Sequence, residues 1–190
     1  MLQELLKNSR SVRSFKAGET ISADVLRELV SLTRMCPAAM NLQVLKYRLV
    51  SEADECAALL GETRWASSLS IKLPPAGHEP SGFIVLCHDT TIAPQKPIFS
   101  IDVGIAAQTI MLGACERGFG GCIIGSASEE RLSAVLNLPA HLVPVLVLGL
   151  GVPDETVVLT DAENGAVKYH RDENNVHYVP KRTLEELIIS

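Results

Sequence analysis

The chain has 190 residues, of which 47% are apolar and 21% charged, enough for one domain with a substantial core, which excludes global disorder. Aromatic residues make up only 4%, and 22 acidic residues against 17 basic ones give a formal net charge of −5. This balance argues against nucleic acid or an anionic membrane as the main partner.

The first predicted elements are two helices and a strand. Three leucines within 2–6 share one face of a short amphipathic helix. Ser22 is a suitable N-cap for a second helix, whose apolar residues recur at helical spacing until Pro37 ends the run. A strand is predicted at 47–51.

The middle of the chain then changes character twice. The stretch 61–82 has no clear period and is rich in Pro and Gly, so we predict a loop there, with the character of a lid. The run 83–87 is entirely apolar and of strand length, which is typical of a strand in a sheet that is covered on both faces.

The stretch 102–118 is predicted to be a helix that is apolar on nearly every side. Asp102 lies near its start, and Gly118 fits the position just after its end. A domain of this size rarely surrounds such a helix completely, and Gly104, Ala107 and Gly113 would let a neighbouring backbone approach closely. We therefore expect a second copy of the chain to cover part of it.

The remaining elements complete the predicted fold. They are a short strand at 122–125, a helix capped by Ser128, a buried strand at 143–150 and a capping box at 183–186 that opens a short helix. Strands and helices interleave without strict β–α–β repetition. This order predicts an α+β fold, a three-layer α/β/α arrangement around a mixed sheet, in a single domain covering 1–190.

The apolar runs and the cysteines indicate the cellular compartment and the state of the thiols. The longest apolar run, 142–152, is shorter than the ~18 residues that span a bilayer, and the N-terminus lacks the bases of a signal peptide. We expect a cytoplasmic protein with no membrane partner. The five cysteines are odd in number and have no CxxC or CxxH spacing, so we expect reduced thiols in the core and no metal site.

Several familiar catalytic patterns are absent from the sequence. No GxGxxG follows a predicted strand, and there is no P-loop, GxSxG or HExxH. The five histidines are dispersed, and each is expected to be structural or exposed.

Four segments are candidates for ligand binding, and the first is rich in positive charge. Lys7, Arg10, Arg13 and Lys16 have no acid between them, although the chain is acidic overall. Two guanidiniums flanking the Ser11 hydroxyl suit a phosphate dianion, because they offer bidentate and short directional donors. The alternative is a solvated basic helix end.

The other three segments are weaker signals. The loop 37–43 combines small residues with the amides of Asn41 and Gln43, which suit a flat ligand or simply end a helix. The glycine-rich stretch 118–125 allows a backbone to approach a ligand closely, or is only a tight turn. Lys181 and Arg182 could close over an anion or form an exposed charge pair.

Taken in order, these four segments resemble the flavin-dependent nitroreductase family over about residues 5–188. The resemblance implies the fold of that family in an intertwined homodimer, with two FMN sites at the interface and NAD(P)H as co-substrate. The dimer agrees with the expectation drawn from the helix at 102–118.

The resemblance also assigns roles to residues. Arg10, Ser11 and Arg13 look like the family's phosphate-binding triplet, and Lys181 and Arg182 look like its C-terminal phosphate clamp. The ring of the flavin is implied to meet two further groups: Pro37, Ala39, Asn41 and Gln43 on a loop from the partner subunit, and the backbone of Gly121, Ile124 and Gly125 near the N5 and O4 edge.

Three features, at four positions, depart from the family's usual pattern. Ser9 stands where the family often has another arginine, Ala38 and Ala39 stand where it often has serine, and Val44 replaces a frequent proline.

The implied reaction needs no acid or base from a side chain. A nicotinamide gives a hydride to the flavin, and an electron-poor small molecule, such as a nitro compound or a quinone, then takes its place. The alternatives are a flavin-binding dimer with another reduction, flavin breakdown or a regulatory role, and a redox protein centred on Cys122.

Overall fold

A computed structural model describes residues 2–66, 69 and 71–189 of the protein. The chain divides into two compact units, Met1–Pro153 and Asp154–Ser190. The assignment of 1–190 to one domain stays a prediction.

The described part of the first unit contains helices on both sides of one sheet. The helices are α1 (Leu2–Asn8), α2 (Ala23–Ser31), α3 (Ala53–Gly61), α4 (Phe99–Glu116) and α5 (Glu129–Val135), with 3₁₀ turns at Leu32–Met35 and Ala39–Asn41. The strands are β1 (Leu45–Val50), β2 (Gly82–Asp89), β3 (Gly120–Ile124) and β4 (Leu142–Gly151). Their spatial order is β1-β2-β4-β3, and each neighbouring pair is antiparallel.

Two hydrophobic cores lie on opposite faces of this sheet. Along β2, Phe83 and Val85 belong to a cluster shared with α3 and α5, whereas Ile84 and Leu86 belong to one shared with α2 and α4. This alternation follows from the two-residue period of a strand. It confirms the predicted strand covered on both faces and the α+β fold in three α/β/α layers.

The sheet is mixed only at its margin. An isolated parallel bridge joins Ser11 to Gly121 beside the edge strand β3. Among the described strands, regular parallel pairing occurs in the second unit.

Helix α4 divides its apolar surface between the core and the outside. Ala106, Ala107, Ile110 and Ala114 pack in the core on the sheet. A stripe on another side is exposed or half-buried, formed by Ile101, Gly104, Ile105, Gln108 and Leu112.

The predicted role of the small residues in this helix is therefore corrected. Ala107 faces the chain's own core, and a Cβ on Gly113 would collide with Leu32 of the same chain, so their small size serves packing within one subunit. Gly104 does lie open, with no atom within 4 Å of a Cβ built there.

The capping predictions are confirmed. The Ser22 hydroxyl accepts the Val25 N–H at 3.3 Å, and the Ser128 hydroxyl accepts the Arg131 N–H at 3.5 Å. Helix α4 begins at Phe99, three residues before the predicted start, because a turn from Lys96 leads directly into it.

Helix α3 is not among the predicted elements, and it takes the residues just before the predicted loop. From 62 to 81 the described residues form no helix and only an isolated bridge between Thr63 and Ala127. Ser67, Ser68 and Ser70 of the predicted lid lie outside the described residues, and the lid stays a prediction.

The second unit contains β5 (Val157–Asp161), β6 (His170–Arg171), β7 (His177–Lys181) and α6 (Leu184–Leu187). Strand β7 lies in the middle, parallel to β5 and antiparallel to β6. A buried ion pair joins Arg171 to Glu155. The predicted capping box is present, because Thr183 and Glu186 each accept the other's backbone N–H.

Among the described residues, no helix combines the length and the hydropathy that crossing a bilayer requires.

Candidate functional site

Helix α4 carries contacts to two of the four predicted segments. Near its start, the Asp102 carboxylate accepts the backbone N–H of Ala39 in the loop 37–43. Nine residues further on, the Met111 carbonyl accepts the Ser9 hydroxyl at 3.5 Å, just before the basic segment. At a rise of about 1.5 Å per residue, the two attachment points are about 13 Å apart along the helix.

The basic segment is joined to the glycine-rich stretch by the main chain. The Val12 N–H donates to the Gly121 carbonyl at 2.8 Å, and Ser11 forms a parallel bridge with Gly121. Val12 and Phe15 are buried in the core, with Phe15 only 1% exposed. The fold therefore brings two of the predicted segments together and fixes the positions of Ser11 and Arg13 on either side of Val12.

Arg10 and Arg13 are half-buried, and Ser11 is exposed. Arg10 donates from Nε to the Ser9 carbonyl and from Nη2 to the Leu6 carbonyl, both at 2.8 Å, so it also caps the end of α1. Arg13 donates from Nη1 to the Ser11 carbonyl at 3.4 Å. A guanidinium has five N–H donors, and the two bonds of Arg10 use two of them.

Each glycine of the stretch 118–125 is placed in a different structural environment. A Cβ on Gly120 would lie 2.7 Å from Pro153 Cγ and 3.0 Å from Val12 Cγ2, so this glycine makes room for both residues beside β3. A Cβ on Gly121 would collide with the Gly149 carbonyl, so this glycine serves the β3–β4 pairing. Gly118 has a φ of +80°, as predicted for a residue that ends a helix. Gly125 is exposed, with no atom within 4 Å of a Cβ there.

Ile124 and Gly125 lie at the end of the edge strand. Ile124 pairs with Val147 of β4, and its side chain is buried in the core. Because the Gly121 carbonyl points to the open edge, strand alternation directs the backbone of Ile123 to that edge and the backbone of Ile124 to β4. Their contact with a flavin stays a prediction.

The loop 37–43 is exposed and conformationally unusual. Met40, Asn41 and Gln43 have φ values of 53°, 53° and 52°, in the left-handed region that residues other than glycine seldom adopt. Pro37, Asn41 and Gln43 are exposed, and Met40 is 70% exposed. The Asn41 and Gln43 amides are thus presented at the surface, as a ligand contact requires.

Behind this loop lies a pocket of about 280 Å³, lined by the loop, the start of β1 and the first part of α4. Asp102 lines it and is 6% exposed, and its oxygens lie 3.0 and 3.2 Å from the Ala39 nitrogen. Tyr47 also lines it. Burial, together with the nearby Cys36 and Asp102, raises the pKa of Tyr47 against the lowering effect of its hydrogen bond to Thr33, so its phenol stays protonated at neutral pH.

Lys181 and Arg182 lie at the end of β7 in the second unit, and both are exposed. Lys181 is paired in register with Asp161, and Arg182 Nη1 lies 3.7 Å from Glu186 Oε1. Their role as a phosphate clamp stays a prediction.

The predicted burial of the cysteines holds for three of the five. All five are free; Cys56, Cys87 and Cys122 are buried, and Cys36 and Cys115 are half-buried. Burial raises the pKa of Cys56 and of Cys87 to about 11, which keeps these thiols protonated. Cys122 is 5% exposed in the core, which argues against a redox centre there. No group of three metal-ligating side chains occurs among the described residues.

Sequence reasoning missed the tie between Asp102 and the loop. An acid near a helix start predicts a helix-stabilising charge, and that signal says nothing about the distant amide it accepts. Tyr47 was assigned to a strand alone. The pocket could be predicted only by knowing that the start of α4 contacts the loop 37–43.

The donor set at the basic segment fits a phosphate. It comprises two guanidiniums and an exposed hydroxyl on a backbone whose position is fixed by the core and by β3. Charge-assisted bonds of this kind are the strong ones in anion recognition.

Comparison with known proteins gives one family and several relatives. The model of the nitroreductase family matches residues 6–81 and 85–152. Over 171 residues the chain is 28% identical to a protein named "CR(VI) reductase" from Pseudomonas sp. (strain G-1), covering 80% of this chain and 67% of that protein. It is 25% identical to the "FMN reductase (NADPH)" of Bacillus subtilis (strain 168), covering 79% and 65%.

Solved structures agree with the fold. A nitroreductase family protein from Streptococcus pneumoniae TIGR4 matches with a TM-score of 0.71 at 17% identity, covering 86% of this chain and 96% of that one. Another, from Clostridium novyi NT, matches with a TM-score of 0.69 at 24% identity, covering 81% and 86%. At these identities the likeness establishes the fold.

Proposed function

This chain belongs to the nitroreductase family, and we propose that it transfers a hydride from NAD(P)H, through bound FMN, to an electron-poor acceptor such as a nitro compound or a quinone. An NAD(P)H-dependent oxidoreductase that uses FMN is the activity supported by the family and by relatives named as FMN and NADPH-dependent reductases. The chain spans about two thirds of the length of those two relatives, so the acceptor is part of the proposal.

One observation carries the assignment of the site. The Val12 N–H bonds to the Gly121 carbonyl, so the two segments that the resemblance assigned to one cofactor are neighbours in the fold, although more than a hundred residues separate them in the chain. This contact places Ser11 and Arg13 beside the edge strand that carries the glycine-rich stretch, as one shared ligand site requires.

The residues that would hold FMN divide into two groups. Arg10, Ser11 and Arg13 would bind its phosphate, and the resemblance assigns Lys181 and Arg182 to the same group. The ring would be held by backbone near the end of β3, where Gly125 is exposed while Gly121 and Ile124 pair with β4, and by a loop of the second subunit. On that loop, Pro37 and Ala39 pack against the ring, and Asn41 and Gln43 offer amides to it.

The chain itself would bind the flavin, orient it and cover part of it. The flavin supplies the redox chemistry, which no amino-acid side chain provides. Guanidiniums fix the phosphate end, and the open edge beyond β3 leaves the other end accessible. Donor and acceptor would occupy the same place in turn, which predicts ping-pong kinetics.

A homodimer is supported by the uncovered apolar surface around α4. Ile101 is 55% exposed and Ile98 45% exposed at the start of α4, and large apolar residues on the elements that contact this helix are exposed too, namely Leu2, Leu6, Met35 and Met40. Soluble monomers seldom leave such a patch uncovered. A second copy would cover the stripe on α4 and bring its loop 37–43 to the first copy's flavin.

The experiment that tests the function is anaerobic bleaching. The purified protein should carry FMN and absorb in the visible, and NADH or NADPH should bleach that absorbance. A panel of nitro compounds and quinones added afterwards should restore it, and initial rates should give parallel double-reciprocal lines. A protein that binds no FMN, or whose FMN neither pyridine nucleotide reduces, would contradict the proposal.

A further inference from the structure

We propose that Asp102 is a positioning residue, whose carboxylate holds the Ala39 amide and thereby fixes the shape of the loop 37–43. The consequence for catalysis rests on the proposed function, which assigns this loop to the flavin ring. The structural part of the inference stands on the contacts of this chain alone.

The backbone conformation of the loop requires stabilising contacts from outside the loop. Met40, Asn41 and Gln43 adopt left-handed φ values, which side-chain-bearing residues adopt at an energetic cost. Asparagine tolerates this region best, but methionine and glutamine do not. A segment with three such residues would relax unless contacts outside it favoured this shape.

The loop supplies few contacts of its own. Among the described residues, its internal hydrogen bonds are Asn41 N–H to the Ala38 carbonyl at 2.9 Å, Leu42 N–H to the Ala39 carbonyl at 3.1 Å, and Gln43 Nε2 to the Asn41 carbonyl at 3.3 Å. In addition to these internal bonds, the Ala39 N–H donates to the Asp102 carboxylate and so joins the loop to α4.

Asp102 is suited to hold a backbone amide. It is 6% exposed in the first turn of α4, where the helix dipole stabilises a negative charge. Both of its oxygens lie within hydrogen-bond distance of the same N–H. A second tie lies next to it, because Cys36 Sγ and Thr109 Oγ1 are 3.1 Å apart and join the residue before the loop to the same helix. The loop thus takes its position from α4, the helix that also contacts the basic segment.

The test compares three variants with wild type by hydrogen–deuterium exchange and by visible circular dichroism of bound FMN. Asp102→Ala removes the acceptor. Asp102→Asn keeps one acceptor oxygen at the same size and serves as the conservative variant. Asp172→Ala is the matched control, because Asp172 is half-buried and accepts the backbone N–H groups of Asn174 and Val176, both at 2.9 Å, in a turn of the second unit.

The expected result has two parts. In protein without FMN, Asp102→Ala should speed exchange of the amides at 40–44 by about tenfold or more, Asp102→Asn should do so less, and Asp172→Ala should leave them unchanged. With FMN bound, Asp102→Ala should alter the visible dichroism and lower kcat by about ten- to a hundredfold, because a misplaced loop misorients the ring. The affinity for FMN should change far less, since the phosphate contacts remain.

A second route removes the donor instead of the acceptor. Ala39→Pro has no N–H, and the extended Ala38 (φ −136°, ψ 147°) is the backbone that precedes proline well. If both variants lose the same hydrogen bond, the double variant should exchange no faster at 40–44 than Asp102→Ala alone. This variant also keeps the inference testable if Asp102→Ala fails to fold.

Two outcomes separate the inference from the function on which it rests. Unchanged exchange at 40–44 in Asp102→Ala and in Ala39→Pro would overturn the positioning role, whether or not FMN binds. Faster exchange in a protein that proves unable to bind FMN would support the tie between Asp102 and the loop and contradict only the proposed function.

Discussion

The two halves of the candidate site are held in opposite ways. The basic segment 10–13 follows the turn after α1, and its buried Val12 joins it to β3 by a main-chain hydrogen bond. The loop 37–43 is exposed, strained at three residues and tied to the core by one carboxylate. The basic segment is bonded to the sheet, and the loop is bonded to helix α4.

This difference indicates which half can vary without loss of the fold. The phosphate of FMN is the same whichever acceptor is reduced, so a fixed site for it can be shared with the core. A loop that faces ring and substrate can change sequence freely only if few core contacts depend on it. The predictions below test whether the rigid half and the adjustable half are as distinct as the contacts indicate.

The largest expected effect comes from Phe15→Ala. Phe15 is buried against Trp65 and lies just beyond the basic segment, so its loss should lower the free energy of unfolding by about 3–5 kcal/mol. Met40→Ala, in the exposed loop, should change it by less than about 0.5 kcal/mol. Urea denaturation measures both, and equal losses would remove the contrast between the two halves.

The next prediction concerns assembly, because the proposed function takes the loop 37–43 from a second copy of the chain. Ile101→Glu puts a charge on the exposed stripe of α4 and should weaken a dimer by about a hundredfold, with FMN lost as the dimer dissociates. Sedimentation at micromolar concentration measures this. A wild-type monomer that still holds FMN would refute the shared site.

Ala107→Glu is the matched contrast on the same helix. Ala107 lies in the chain's own core, so a carboxylate there should prevent folding rather than only assembly. A folded, monomeric Ala107→Glu protein would mean that the two faces of α4 are assigned wrongly.

Arg13→Ala should weaken FMN binding by about ten- to a hundredfold, because a phosphate loses a charge-assisted donor. Titration of apoprotein with FMN, followed by flavin fluorescence, gives the affinity. Arg27→Ala removes the same charge from an exposed position on α2 and is the control. Unchanged flavin occupancy after dialysis of the Arg13 variant would reject the phosphate assignment.

The smallest effect is expected from the double change Lys181→Ala with Arg182→Ala. Both side chains are exposed and Arg182 lies near Glu186, so solvent and that acid already screen their charge. FMN affinity should fall by less than about tenfold. Lys168→Ala, another exposed base of the second unit, controls for net charge, and a loss larger than that of Arg13→Ala would reverse the order of the two phosphate groups.

Local patterns determined much of the fold. Ser22, Ser128 and Thr183 cap the helices that their spacing predicts, because a cap is a contact between residues three positions apart. The run at 83–87 is a strand buried on both faces, because an uninterrupted apolar sequence leaves no side for water. The Arg10–Arg13 cluster and the family resemblance also lie within the sequence itself.

Only the tertiary structure decided which residues serve which partner. Gly121 and Gly113, which look like openings for a ligand or a second subunit, are small because Gly149 and Leu32 of the same chain lie against them. Asp102 looks like a helix-start acid, yet its carboxylate holds a loop 63 residues away. A sequence specifies contacts between residues two to four positions apart through strand and helix geometry. Contacts between residues 60 or more positions apart, such as the one between Asp102 and Ala39, depend on how the layers pack.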